Sequence, residues 1–355
     1  MNIAFVSSVR LWGGVKTWML EFGEELRRLG DGVFYFANEA RLIERARAAG
    51  FHAERLRFGF DYNPATVLWF RRRFRALGID LGVMNVQKEL RTAGIAARLA
   101  GIPVVHRVGL PGDFTTKWDQ RFAHRFLVAR VLVTSSNMRE DILARVPFIR
   151  PDKIAYVHNG RRPTAPPRTA PHRPVRFVIT SRLERHKGHH DLLAALARVK
   201  AAEGPAFRCD VFSEGALRDE LAARIVALGL SGEVTLRGFS ANLAAELGGY
   251  DFGVLTSDYE SLANTVLEYL AAALPSVTTN TGGVPEMVRD GHNGYLFAPG
   301  DVDALTGHLR RCVTLPDADY ARLAANAHRT ITEDFDLERQ ARRLQAFFRE
   351  VAGRV

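Results

Sequence analysis

The chain has almost no cysteine, no long apolar run and, in its first half, few acidic residues. Its 355 residues include two cysteines, Cys209 and Cys312. They are too few and too far apart for a disulfide framework or a cysteine-based metal site, which points to a reducing cytoplasm. No uninterrupted apolar stretch approaches the roughly 20 residues of a membrane span. Met1-Asn2-Ile3-Ala4-Phe5-Val6 reads as a short strand leading into a Gly-Gly turn rather than as a signal peptide. Gly-x-Gly-x-x-Gly is absent after that strand, which argues against a dinucleotide oxidoreductase.

The shortage of acid is local. Residues 1–170 hold 28 Lys and Arg against 15 Asp and Glu, whereas residues 171–355 hold 21 against 24, so the first half carries the net charge of +10. Such asymmetry points to an anionic partner, whether lipid headgroup, phosphorylated glycan or nucleic acid, unless it reflects an arginine-rich composition alone. A nucleic-acid binder would add an aromatic-rich RNA platform or a recognition helix, and neither signature is visible.

What is present is alternation. Short β-branched or aromatic runs recur at Ile3–Ser7, Val33–Ala37, Leu81–Asn85, Val104–Val108, Val131–Ser135 and Ile154–His158, separated by amphipathic stretches such as Thr17–Leu29 and Arg91–Ala100. A proline- and arginine-rich segment at 161–174 interrupts the pattern. The alternation then restarts at Phe177–Thr180, Asp210–Phe212, Val234–Leu236, Phe252–Leu255, Ser276–Thr279 and Tyr295–Phe297. This predicts two parallel-sheet α/β domains, at 1–160 and 175–335, joined by a linker at 161–174, with ligands at the carboxyl ends of the strands in a cleft between them. The last segment, 336–355, has helical periodicity and is expected to cross back to the first domain.

Chemistry-bearing residues cluster at the predicted strand ends. Glu260-Ser-Leu-Ala-Asn-Thr-Val-Leu-Glu268 sets two carboxylates around a helix start, with Ser261 and Asn264 as capping residues. Eight helical residues would separate the two by roughly 12 Å, enough for one to meet a hexose and the other a ribose, with a diphosphate between them at the helix N-terminus. Gly13-Gly14 would let backbone approach a phosphate. Arg182 and Lys187 could neutralise a diphosphate leaving group. Asp301-Val-Asp303 has the spacing of a metal-binding pair but opens a helix after Pro299-Gly300, and is read as a cap. Trp69-Phe-Arg-Arg-Arg-Phe-Arg75 suits an anionic membrane interface, or a helix packed on its sheet with solvated arginines, and packing is the favoured reading.

The ordered set Gly13-Gly14, Ile102-Pro103-Val104-Val105-His106, Lys153 to Gly160, Arg182 with Lys187-Gly188, Gly238-Phe239, Glu260 to Glu268, Gly282-Gly283-Val284-Pro285-Glu286 and Asn293-Gly294-Tyr295-Leu296 resembles retaining glycosyltransferases of the GT-B fold, specifically glycosyltransferase family 4. The match spans nearly the whole chain. It implies two doubly wound Rossmann-like domains facing each other across a cleft, with a C-terminal helix crossing back to the first.

By resemblance, Glu268 holds the donor ribose, Glu260 contacts the transferred sugar, and Arg182 and Lys187 clamp the diphosphate. Gly13 and Gly14 face the distal phosphate, Gly238 and Phe239 line the nucleobase pocket, and Leu262, Ala263, Asn264 and Thr265 complete the donor site. His106 stands beside the donor sugar. Ser261-Leu262-Ala263 replaces the glycine that often follows the first glutamate, placing side chains in the sugar-facing loop. Lys88, Arg91, Arg107 and Lys117 are the candidates for meeting an anionic acceptor. The implied reaction is metal-free, uses a UDP- or GDP-sugar as co-substrate and no cofactor, and extends a lipid-linked or envelope glycan, such as lipopolysaccharide, on the cytoplasmic side of a bacterial membrane. A nucleotide-sugar epimerase or hydrolase on the same architecture is the alternative enzyme, and a basic nucleic-acid-binding protein the non-enzymatic one.

Overall fold

A computed structural model describes residues 1–353 apart from 11, 110, 111, 113 and 115. The chain divides into two units, Met1–Asn159 with Leu337–Val355, and Gly160–Asp336.

The first unit is built on seven parallel strands, β1 (Asn2–Ser7), β2 (Gly32–Ala37), β3 (His52–Arg55), β4 (Leu81–Met84), β5 (Val104–Arg107), β6 (Arg130–Val133) and β7 (Ile154–Tyr156), in the order β3-β2-β1-β4-β5-β6-β7. Ile3 to Val6 and Leu81 to Met84 are buried without interruption, the pattern of strands covered on both faces. On one face the helix Gly14–Arg28 buries Trp18, Met19, Phe22 and Leu26. The helix Leu337–Ala352 packs beside it, burying Ala341, Leu344, Phe348 and Val351. Gln345 Nε2 donates to Asp31 Oδ2 at 2.8 Å, and Asp31 also receives the N-terminal ammonium at 2.9 Å.

On the other face lies the helix Pro64–Ala76, started by Asn63, whose Oδ1 accepts from the Ala65 amide at 3.0 Å. Phe70 and Phe74 are fully buried in the same apolar cluster as Val67, so the Trp69–Arg75 stretch packs on its sheet. Strand β3 has no counterpart in the sequence reading. It is an edge strand whose only buried residue is Ala53, and His-Ala-Glu-Arg carries no apolar signal.

The second unit has six parallel strands, β8 (Val175–Ile179), β9 (Phe207–Phe212), β10 (Val234–Gly238), β11 (Phe252–Leu255), β12 (Ser276–Thr279) and β13 (Gly294–Phe297), in the order β10-β9-β8-β11-β12-β13. The segment 161–174 lies along this unit. The Arg161 amide donates to Phe335 O at 3.0 Å, that of Thr164 to Ala271 O at 2.7 Å and that of His172 to Asp251 Oδ1 at 2.9 Å. Both cysteines are buried, and burial raises both thiol pKa values. No described helix is long and apolar enough to cross a membrane.

Candidate active site

In a doubly wound parallel sheet, ligands bind outside the carboxyl ends of the strands where the strand order reverses. In the Gly160–Asp336 unit the reversal falls between β8 and β11. Arg182 and Lys187 leave β8, and Glu260 leaves β11. Lys187 Nζ donates to Glu260 Oε1 at 2.6 Å, with the two side chains only 15% and 13% exposed.

Backbone contacts hold this pair in place. Thr256 Oγ1 donates to Lys187 O at 2.8 Å, and the Asp258 amide donates to His186 O at 2.8 Å. Gly188 has φ +65°, and a Cβ there would stand 2.0 Å from Thr256 O. Gly282, on the loop after β12, has φ +53°, and a Cβ would stand 1.7 Å from Glu260 O. The next amide, Gly283 N–H, donates to Ser261 O at 2.9 Å. Three loops are thus joined, with two close approaches, at Gly188 and Gly282, that only glycine permits.

Arg182 is more exposed than Lys187. Its side chain is 70% exposed and pairs with Glu184 Oε1 at 2.7 Å, while its carbonyl accepts from the buried His189 Nε2 at 3.0 Å. Burial lowers the His189 pKa. Glu268 sits on the helix Asn264–Ala271. Burial raises its carboxyl pKa, and the Arg161 guanidinium, 3.7 Å away, opposes the shift. Sequence reasoning missed Arg161, which carries no local signal among the neighbouring arginines of 161–174.

Two local expectations change. The N-cap of the Asn264–Ala271 helix is Ala263, not Ser261 or Asn264. Residues 260–263 therefore precede the helix, and a rise of roughly 12 Å does not describe the glutamate spacing. Ser261, Leu262 and Ala263 are also buried, and Leu262 and Ala263 pack in the apolar cluster with Val284 and Met287. The side chains of Leu262 and Ala263 are thus part of the apolar packing beneath the loop. Asn264 and Thr265, at the helix start, are half-buried, where the positive end of the helix dipole favours an anion. At the end of β10, Gly238 has φ +75° and Phe239 is exposed. Asp301 Oδ1 accepts from the Ala304 amide at 2.9 Å and caps its helix, while Asp303 pairs with Arg198.

In the other unit the reversal falls between β1 and β4. After β1, Gly13 and Gly14 are exposed, and a Cβ on Gly13 would meet nothing within 4 Å. At the end of β1 lies a residue the sequence did not single out, the fully buried Glu89. Its carboxyl accepts from the amides of Ser8 at 2.6 Å and Asn85 at 2.6 Å, from Val86 N at 3.2 Å and from Ser8 Oγ at 3.0 Å. Burial pushes its pKa up to about 7 against the pull of these donors. Buried Lys16 interacts with Glu89 and Glu39, which favour its charge, while burial lowers its pKa.

His106, at the end of β5, is buried, with Nδ1 3.1 Å from His124 Nε2. Burial lowers its pKa to about 4, against a hydrogen bond with the Asn85 backbone. The four acceptor-side candidates differ in burial and partners. Arg107 is buried, its guanidinium 4.2 Å from the Trp18 ring centroid. Arg91 is bound by Asp61 at 2.5 Å and by Asp119. Lys88 is half-buried and Lys117 exposed.

Comparison with known proteins bears on the family and the fold. The profile of a family described as Glycosyl transferases group 1 matches residues 162–330, and that of Glycosyltransferase Family 4 matches residues 12–165. The chain is 32% identical over 217 residues to a glycogen synthase of Mycobacterium tuberculosis, covering 58% of this chain and 50% of that protein. It is 31% identical over 157 residues to the lipopolysaccharide core biosynthesis glycosyltransferase LpsE of Rhizobium meliloti, covering 44% of each. The chain therefore spans about half the length of these curated relatives. Among solved structures, Anabaena Alr3699/HepE in complex with UDP-glucose superposes with a TM-score of 0.80 at 21% identity, over 99% of this chain and 100% of that one.

Proposed function

Because the chain belongs to glycosyltransferase family 4, in the glycosyl transferases group 1, and has the paired Rossmann-like units of the GT-B fold, we propose that it moves a sugar, with retention, from a nucleotide-diphosphate donor to a hydroxyl of a glycan or lipid-linked acceptor. The observation that carries this reading is the shielded Lys187–Glu260 pair at the β8/β11 reversal, one short loop before the helix that bears Glu268. The likeness to LpsE supports an envelope glycan as product, and the likeness to a UDP-glucose complex supports a UDP-sugar as donor. A GDP-sugar remains the second candidate.

In this reading Lys187, Arg182 and the start of the Asn264–Ala271 helix meet the charge that develops on the leaving diphosphate. Glu260 orients Lys187 and faces the sugar, Glu268 accepts from the ribose hydroxyls, and Gly13 and Gly14 bring open backbone to the distal phosphate. His106, fixed by His124 and the Asn85 backbone, is a neutral imidazole beside the donor sugar. The acceptor hydroxyl attacks on the face that the diphosphate leaves, and its proton passes to the departing phosphate, so the protein contributes position and electrostatics rather than a nucleophile. Thermal stabilisation by a panel of nucleoside diphosphates and their sugars tests the reading and identifies the base, since a ligand of the folded state raises stability by RT ln(1 + [L]/Kd). A panel without any shift would overturn it.

Two expected outcomes bear on the parts. Glu268→Ala should weaken nucleoside diphosphate binding by about tenfold or more, the size of a hydrogen bond to a charged group. The raised pKa of Glu268 adds a pH dependence with a definite sign. Protonation removes the carboxylate acceptor, so affinity should fall on acidification, starting at a less acidic pH than an ordinary glutamate would give, and Glu268→Gln should flatten that dependence. Calorimetric titration across pH checks both, and unchanged affinity in Glu268→Ala would remove the ribose assignment. With the leaving group's charge met by protein cations, turnover should also continue in EDTA. Loss that added divalent cation restores would overturn the metal-free scheme.

A further inference from the structure

Three aromatic side chains of the helix Trp118–Phe126 face solvent: Trp118 is 79%, Phe122 54% and Phe126 50% exposed. Spaced four residues apart, they fall within about 80° of arc and about 12 Å of axis, forming one stripe. Gln120, Ala123 and His124 are buried on the opposite side and hold the helix to its unit. A second exposed pair, Phe60 at 68% and Tyr62 at 51%, is fastened beside the first turn. Arg91 makes the connection: its guanidinium bonds both Asp61 and Asp119 and lies 5.9 Å from the Tyr62 ring centroid. Isolated exposed apolar residues are ordinary, whereas an ordered aromatic patch marks a contact surface.

Charge identifies the partner. Arg121 and Arg125 flank the stripe on its exposed side, and with Arg150 and Lys153 they surround a cavity of about 530 Å³ next to Phe126 and Phe148. Among the described residues, Arg121, Arg125 and Lys153 have no carboxylate within ion-pair distance. Aromatic rings bordered by unneutralised cations suit a bilayer interface, where rings lie at headgroup depth and guanidinium groups meet phosphates. The Trp69–Arg75 stretch has a similar composition, but its Phe70 and Phe74 are committed to the core.

We propose that the Trp118–Phe126 helix, together with Phe60 and Tyr62, docks this unit on an anionic lipid surface, with a lipid phosphate taken by the cavity of Arg121, Arg125 and Lys153. The proposal deepens the lipid-linked branch of the proposed function and rests on it for its purpose. The test is co-sedimentation of the full chain with vesicles of phosphatidylglycerol and phosphatidylcholine, and with vesicles of phosphatidylcholine alone. Binding should need the anionic lipid and weaken with salt. Each basic residue near such a surface contributes about fivefold, so Arg121→Glu with Arg125→Glu should weaken binding more than about 20-fold. Phe122→Ser with Phe126→Ser should lower it at least about tenfold, and both variants should keep the wild-type thermal shift with nucleoside diphosphate.

Variants that bind vesicles as well as the wild type would overturn the proposal. So would a wild type that ignores vesicles but forms a dimer, by light scattering, that Phe122→Ser with Phe126→Ser dissolves, because the face would then belong to a second copy. Vesicle binding without any nucleoside diphosphate shift would overturn the transferase reading and leave the docking surface standing.

Discussion

Lys187→Ala should lower turnover by about 10²- to 10³-fold, the usual loss when one preorganised charge donor to a developing anion is removed. Two effects act in the same direction. The leaving diphosphate loses the cation nearest the β8/β11 reversal, and Glu260, 2.6 Å away and only 13% exposed, loses its counterion. A shielded carboxylate without a partner costs stability, about 3–5 kcal/mol for a fully buried pair, and also repels the incoming diphosphate. The double variant Lys187→Ala, Glu260→Gln separates the terms. It should recover folding stability but little of kcat, since the repulsion is gone while the cation is still missing. Steady-state kinetics with the donor found by thermal shift, alongside denaturant unfolding, measures both. Near-normal turnover in Lys187→Ala would place diphosphate neutralisation elsewhere.

Gly282→Ala should be the most damaging change of a single methyl group. Its φ of +53° is costly for alanine, by about 1–2 kcal/mol. The added Cβ would also stand 1.7 Å from Glu260 O, so the loop carrying Glu260 must move. Overpacking of this kind typically costs about 1–3 kcal/mol more. The displaced loop breaks the Gly283–Ser261 bond and shifts Glu260 relative to Lys187. Expected are a clear fall in thermal stability and at least a tenfold loss of donor affinity, read by calorimetry and titration. Gly13→Ala is the contrast, because a Cβ there meets nothing within 4 Å and the backbone is extended. It should leave stability near wild type, and any effect should appear in turnover. Equal effects of the two substitutions would show that the Gly282 contact does not hold the loop.

Much of the fold was legible because it is written in short periods. Continuous apolar runs such as Ile3–Val6 and Phe252–Leu255 announced parallel strands, and Asp301 announced its helix by an oxygen placed to receive the Ala304 amide. Edge strand β3 was not legible, because a strand buried at a single residue carries no pattern. For the candidate site, Arg182, Lys187, Glu260 and Glu268 were named from residue type, from place near strand ends and from the family resemblance. Arg161 and Glu89 were not, because each acquires its role from a partner remote in sequence: Glu268 for the first, Ser8 and Lys16 for the second.

The sequence by itself determined the repeated alternation of strand and helix, the division between a basic first half and a second half rich in family motifs, and the types of group at the strand ends. Tertiary structure alone decided which of those groups meet. Strand order brings Lys187 to Glu260 across 73 residues, buries Leu262 and Ala263 in an apolar cluster, and covers Phe70 and Phe74 while leaving Trp118, Phe122 and Phe126 bare. The physical reason is one of range. Backbone periodicity is set by neighbours a few residues away, whereas burial and pairing depend on which distant segment lies across the sheet.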